Sequence, residues 1–416
     1  MIKKSKRVLL LGAGIGQLFL AKKIKQDGFF LIVMAFNYLP EVIALADKFI
    51  HQDLYDKDSV CKIASQESVD AVVSDQHDII SPLVAFVADF LDLPGNHYEQ
   101  VLSYTDKNLF RDNCDRLDIP VPKHCRLEKT LILPESFKCV SFPWIIKPAD
   151  SQSSLGVTKV ASYSEFELAA KEAIQVSLTG HAIVEEFFRG KEVVVEGLIY
   201  KGEYLNLGIA DRLYFDLKDR FIPSQTIFPS KVSDNLQREM IECEKRMAQY
   251  INPYFAIVHS EYLYDDDTGE FRVVESALRG GGVFISSHLV PLYCGVDVNQ
   301  LLIDASLGKQ IDFDSIREST VSRSSAYVCF YFPEGVIKST HGINEVDNLD
   351  YVRLFDKHGL TVGAEVTRME HKGQRFGPIV LEAKDRKEIE GRIKEVQGMM
   401  TAAVQTRGGI QGIRWA

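Results

Sequence analysis

The chain has 416 residues, room for two or three domains of ~100–200 residues, and is 46% apolar and 25% charged, the mix of a packed globular protein. Its 58 acids outweigh 48 bases, for a net charge of −10, and no basic block lies beyond the first seven residues. That excludes the concentrated cationic face a nucleic-acid binder needs, and seven scattered cysteines with no CxxC exclude a disulfide scaffold or zinc module and suit a reducing cytoplasm.

The opening basic and apolar stretch imitates a signal peptide, but Gly12, Gly14, Gly16 and Gln17 interrupt it, so it reads as a buried strand turning into a helix. No run reaches the ~18 apolar residues of a membrane span. Residues 7–11 form a first strand, 12–16 a tight turn, 18–25 a helix, 29–35 a second strand, 71–74 a third and 79–91 a helix. Buried strands joined by crossover helices make a parallel α/β sheet. Gly12-Ala13-Gly14-Ile15-Gly16-Gln17 invites a dinucleotide reading. The third fingerprint glycine falls on Gln17, however, and Met34-Ala35-Phe36-Asn37 offers no acid for a ribose, so a structural turn is the better reading.

From Thr105 the texture changes. Residues 106–117 read as a charged helix, 119–122 as an extended connector and 144–147 as a strand. A serine-rich loop follows, then a helix to about 176 capped by Ser164 and Glu167. Strands are expected at 182–188, 192–200, 256–264 and 270–276. Leu236, Met240, Cys243, Met247 and Tyr250 mark one face of a helix. After about residue 310, β-rich patches (326–332, 351–354, 379–381) precede a helix with Ile389, Ile393, Val396, Met400 and Val404 on one face.

The sharpest constellation is the hairpin around Asp267-Thr268-Gly269, a three-residue loop with glycine at the left-handed position. That loop sets a register pairing Leu263 with Val273, Asp265 with Phe271 and Glu261 with Glu275, and alternation along the strands puts Glu261 and Glu275 on one face with Leu263, Val273 and Phe271. Facing glutamates repel each other, and a divalent cation with hard oxygen ligands removes the conflict; the alternative is a solvent-edge hairpin with its glutamates in water. Arg279 beside Gly280-Gly281-Gly282 adds a cation where a phosphate or carboxylate would be in transfer. Lys147, at the end of Trp144-Ile145-Ile146, is a point charge for phosphate, followed by a loop of small residues whose amides can approach phosphate oxygens. His77, His288 and Arg375 are further cleft candidates, with plain structural roles as the alternative.

In order and spacing these pieces resemble the ATP-grasp carboxylate–amine ligase superfamily. The resemblance implies a mixed α/β and α+β fold: a Rossmann-like pre-ATP-grasp domain at 1–104, a two-lobed ATP-grasp core at 105–310 (lobes about 105–184 and 185–310), and an α+β C-terminal substrate or lid domain at 311–416. It implies ATP lysines at Lys107 and Lys147, a phosphate-covering loop with Ser153, Ser154, Gly156 and Val157, and an adenine hinge at Glu185, Glu186, Phe187 and Phe188. It further implies Glu192 on the ribose, Glu261 and Glu275 on the metal, and Arg279 with Lys147 as catalytic groups. ATP and magnesium (or manganese) are the implied cofactors. Small-molecule carboxylate and amine substrates and a homodimer are expected, with no nucleic acid and no membrane.

The implied reaction phosphorylates a carboxylate, giving an acyl phosphate that an amine then attacks, releasing ADP and phosphate. An amino acid is the expected substrate; a purine-pathway or carbamoyl-type ligase is the alternative. Ala277 stands where the family has an asparagine metal ligand, and Ser151 and Leu155 depart from its loop pattern. These departures keep open a protein that binds ATP without turnover. A nicotinamide oxidoreductase would instead be stabilised by NAD(P) and not by ATP.

Overall fold

The computed structural model describes residues 5–151, 155–217 and 220–416. In the first strand, Arg7–Ala13, every residue after Arg7 is buried, so both faces are covered and it lies inside a four-stranded parallel sheet. The sheet order is Lys48–His51, Phe30–Tyr38, Arg7–Ala13, Ala71–Val73. Strand 71–73 is thus fourth in the chain, not third. The added strand, Lys48–His51, has only two apolar residues and is too short to show a period.

Gln17 explains why the third glycine is absent. Its side-chain carbonyl accepts from the Gly14 N–H at 2.9 Å and its amide donates to the Asp75 carbonyl at 2.6 Å. The helix Ile15–Gln26 is therefore capped from within, and Gly12 takes φ +89°, a conformation open to glycine.

A second, antiparallel four-stranded sheet orders His124–Leu127, Ala182–Glu186, Trp144–Pro148 and Thr158–Val160. Helix Tyr163–Val176 covers one face of it, burying Phe166, Ala169, Ala170 and Ala173 against Trp144 and Ile146. Its N-cap is Ser162, accepting from the Glu165 N–H, not the expected Ser164; Glu165 reaches back to the Ala161 N–H. Strand Ala182–Glu186 belongs whole to this sheet, so the chain leaves it after residue 186 and not at 184.

The largest layer is an eight-stranded antiparallel sheet. It runs Phe271–Ala277, Phe255–Tyr264, Lys191–Tyr200, Glu203–Tyr214, Pro223–Phe228, Ser324–Phe330, Phe376–Ala383 and Val352–Phe355. A boundary near residue 310 therefore crosses a continuous sheet: Pro223–Phe228 pairs directly with Ser324–Phe330. Helix Asp234–Ile251 lies on one face, with Leu236, Met240, Cys243 and Met247 in a core shared with Tyr262 and Val273. The last long helix, Arg386–Met399, stops before Met400, and Val404 belongs to strand Thr401–Thr406. A run of Thr-Ala-Ala-Val matches either period, and pairing with Gly335–His341 decides it. Among the described residues no helix is long and apolar enough to cross a membrane.

Candidate active site

The hairpin places Glu261 directly opposite Glu275, the expected pair. Beyond that pair the register differs from the expected one: Tyr262 faces Val273, Leu263 faces Arg272 and Tyr264 faces Phe271. Val274 is the extra residue of a β-bulge, and it turns one strand's alternation over. Phe271 and Val273 consequently join Tyr262 and Tyr264 in the core under helix Asp234–Ile251, while both glutamates keep the opposite face. The bulge resolves what a regular ladder could not, burying four large side chains on one face and leaving two carboxylates on the other.

On that face Glu261 belongs to a charged network. Arg212 Nη1 donates to Glu261 Oε1 and, at 3.0 Å, to Glu192 Oε1. Tyr214 donates its hydroxyl proton to Glu192. His259 Nδ1 pairs with buried Glu196, and its Nε2 lies 3.4 Å from Glu261. Burial first, and the Glu261 charge second, push the Glu192 carboxyl up to about 7. For Glu261 burial works the same way, but Arg212 and His259 outweigh it and hold the carboxyl well below the usual range.

The second sheet delivers the lysines. Lys147 Nζ lies 2.6 Å from Glu185 Oε2, and Arg111 Nη2 lies 2.8 Å from Glu185 Oε1, with all three side chains buried. Burial would raise the Glu185 carboxyl, yet Arg111 and Lys147 hold it down at about 2. Glu185, expected at the adenine hinge, thus clamps two buried cations. Arg111 also donates to the Val274 carbonyl at 2.7 Å, tying this sheet to the bulge beside Glu275. Lys107, first residue of helix Lys107–Arg116, reaches the Ser151 carbonyl at 2.8 Å and Glu275 at 3.4 Å.

The remaining hinge residues are the last of strand Ala182–Glu186 and the two that follow it. Glu186 accepts from the Lys123 N–H at 3.0 Å, Phe187 gives its own N–H to Pro143, and Lys159 lies 3.8 Å above the Phe187 ring. Arg272 lies over the Phe188 ring at 4.9 Å. In the covering loop, Gly156 has φ +73° and a Cβ there would meet Pro148 at 2.8 Å, while Val157 is half-buried next to it. Ser153 and Ser154 lie outside the described residues.

Arg279 makes a two-pronged pair with Asp78, Nε to Oδ1 at 2.6 Å and Nη2 to Oδ2 at 2.8 Å. Asp75, fully buried, accepts from the Gly280 N–H and the Ser286 hydroxyl, both at 2.7 Å. Two aspartates of the N-terminal sheet thus fix the turn that carries the arginine. Val283 and Phe284 in this turn both take positive φ, 57° and 64°, which costs about 1–2 kcal/mol each for side chains of this kind. The anchoring of Ser286 and the burial of Phe284 against Phe19 offset that strain. A Cβ on Gly280 would fall 2.3 Å from that of Ser286 and 2.8 Å from Asp75 Oδ1. Gly280→Ala is therefore expected to destabilise the protein by about 1–3 kcal/mol, read as a lower urea midpoint.

Of these groups, Asp78, Ser151 and Glu275 line a cleft of about 770 Å³ between the N-terminal sheet and the hairpin, together with Gly12–Gly14, His77, Ser276 and Ala277. His77 is a cleft residue, and burial lowers its pKa, favouring the neutral ring. His288 is not: it packs edge-on against Phe19 at 4.4 Å, and burial pushes its pKa down to about 4. Arg375 donates to the Pro223 carbonyl, and burial, with the Arg375 charge, lowers the pKa of the neighbouring Lys372 in the turn Lys372–Gln374. Arg111, Arg212, His259, Glu196, Asp75, Asp78 and Lys372 carried no motif in the sequence.

Among the described residues no group of three or more His, Cys, Asp or Glu side chains is arranged to hold a metal ion. Two paired carboxylates, Glu261 and Glu275, fit a hard divalent cation of the magnesium class, which is bound through one or two carboxylates with ligand phosphates completing its shell. Ala277, opposite His259, adds no oxygen from its side chain.

Residues 140–287 match the ATP-grasp domain family. Alanine–anticapsin ligase of Bacillus subtilis is 25% identical over 305 residues, covering 67% of this chain and 62% of the relative, so the chain spans less than two thirds of that protein's length. Among solved structures, L-amino acid ligase from Bacillus licheniformis superposes with a TM-score of 0.82 at 18% identity, over 97% of this chain and all of that one. Phosphoribosylglycinamide synthetase from Anaerococcus prevotii does so with a TM-score of 0.77 at 17% identity, over 96% of this chain and all of that one. Both structures share its fold. That domain match, residues 140–287, spans the second lysine, the hairpin and the arginine turn, so this part of the chain is similar to an ATP-grasp domain.

Proposed function

We propose that the protein is an ATP- and magnesium-dependent ligase that joins a carboxylate, an amino acid, to an amine and releases ADP and phosphate. The observation that carries this reading is the cross-strand pair Glu261–Glu275, with Lys107 3.4 Å from Glu275 and the Arg279 turn beside it. The named amino-acid ligases among its relatives support the substrate class.

In this reading Lys147 and Lys107 hold the ATP phosphates, and Glu185 keeps Lys147 extended and charged. Glu192 takes the ribose, with backbone near Phe187 and Phe188 reading the base. The Phe187 N–H is already given to Pro143, so Phe188 supplies the donor. A magnesium ion between Glu261 and Glu275 would neutralise charge on the phosphates. A carboxylate oxygen attacks the γ-phosphorus as the bond to ADP breaks, leaving an acyl phosphate. The amine then attacks the acyl carbon, phosphate leaves, and the amine's proton passes to solvent. Arg279, oriented by Asp78, stabilises the charge on the transferring group.

The test is ADP release by the purified protein with ATP, magnesium and pairs of amino acids. Release is expected only with both substrates and free metal, and EDTA should abolish it. An ATP-induced rise in melting temperature with no ADP from any pair would instead favour the non-catalytic reading that Ala277 motivates.

A further inference from the structure

The N-terminal half of the cleft is shaped for something other than phosphate or a dinucleotide. The Gly14 N–H at the start of helix Ile15–Gln26 is already taken by Gln17, and a Cβ at Gly12 would fall 2.8 Å from Ile80. The backbone there is closed to a pyrophosphate. Lys57, the lysine lining this wall, is engaged by the Tyr98 hydroxyl at 2.6 Å and sits over the Tyr98 ring at 4.5 Å. Asn37, next to last in strand Phe30–Tyr38, is no acid for ribose hydroxyls.

What the wall does present is aromatic. Phe36 and Tyr55 line the cleft with 56% and 63% of their surface exposed, although rings of this size are normally covered. The Phe36 ring stacks on His51 at 4.9 Å between centroids, and the Tyr55 N–H is fixed by Asp53 at 3.0 Å. Ile79 and Leu102 extend the apolar lining inward. At the inner end His77 lines the cleft with its Nδ1 lacking a hydrogen-bond partner among the described residues, and Glu275 follows. A volume of about 770 Å³ stands high in the ~300–1,000 Å³ range of small-molecule sites.

We propose that this half of the cleft is a side-chain subsite for a substrate bearing an aromatic or large branched apolar group, seated on Phe36 and Tyr55 with its polar end at His77. The proposal deepens the ligase reading and rests on it for the reaction, while the subsite itself is defined by binding. It makes one of the two ligated molecules substantially larger than alanine.

Two measurements test it. Calorimetric titration of the full-length protein with L-phenylalanine, L-tryptophan, L-leucine and L-alanine should rank alanine weakest. Phe36→Ala and Tyr55→Ala should each weaken phenylalanine binding about tenfold, and Tyr55→Phe should keep it. In the ADP-release assay the same alanine variants should raise KM for the aromatic partner about tenfold, with the KM for ATP and the melting temperature unchanged. ADP release restricted to small amino acids, with Phe36→Ala silent in KM, would overturn the subsite and leave the ligase reading standing. Tenfold weaker phenylalanine binding in Phe36→Ala, with no ADP from any pair, would support the subsite and end the ligase reading. Failure of phenylalanine, tryptophan and leucine to bind or to be used also overturns the subsite.

Discussion

Glu275→Gln is expected to lower ADP release by about 10³-fold or more while the protein stays folded. The two halves of that expectation have separate causes. Glu275 sits on an edge strand with a third of its side chain exposed, and its ion pair with Lys107 is long at 3.4 Å, so the amide disturbs little packing. The function it loses is larger. With glutamine there, only the Glu261 carboxylate remains on the paired strands to hold a divalent cation against the phosphates. Glu261→Gln should inactivate comparably, but it also removes a partner of Arg212 and should lower the melting temperature. A Glu275→Gln protein with wild-type turnover would remove the metal role from the hairpin.

Glu185→Gln should produce the largest loss of stability. Glu185 is 2% exposed and carries two cations, Lys147 and Arg111, each at least nine-tenths buried. Neutralising it leaves two like charges facing each other without water, a loss of about 3–5 kcal/mol for a broken buried pair. The effect depends on pH in a defined direction. The folded protein holds this carboxyl at about 2, below its ordinary 4.5, so its contribution is whole above about pH 5. It fades as pH falls toward 2, and the gap between wild type and Glu185→Gln should close over that acid window. Urea midpoints from pH 7 down to 3 measure it; a gap that is small at pH 7 would contradict the clamp. ATP affinity should fall as well, because Lys147 loses the partner that aims it.

What the sequence disclosed and what it withheld divide along chain distance. Asp267-Thr268-Gly269 marked the hairpin that brings Glu261 and Glu275 together, but the pairs beside the loop are one residue out of the expected register and the bulge restores the glutamate pair. The bulge at Val274 left no trace, since it answers to the need to bury Phe271 and Val273 under a helix from elsewhere in the chain. Lys147 was readable at the end of an apolar strand, yet its partner Arg111 sat unmarked in a charged helix, and only the fold brings the two to Glu185. Arg279 was readable beside its glycines, but Asp78 lies 201 residues away. Glu185 was readable as a position along its strand, but its two buried cation partners were not, because a motif records order along the strand and not which face a side chain takes. Gln17 shows the reverse, a departure from a fingerprint that the structure accounts for through two hydrogen bonds.

The central claim is that a carboxylate oxygen attacks the γ-phosphorus of ATP at the Glu261–Glu275 site. Transfer of label from an ¹⁸O-carboxylate substrate tests it most directly, with the released phosphate analysed by mass spectrometry. The account predicts ADP as the nucleotide product and one ¹⁸O in each phosphate. Unlabelled phosphate, or AMP with pyrophosphate, would contradict it.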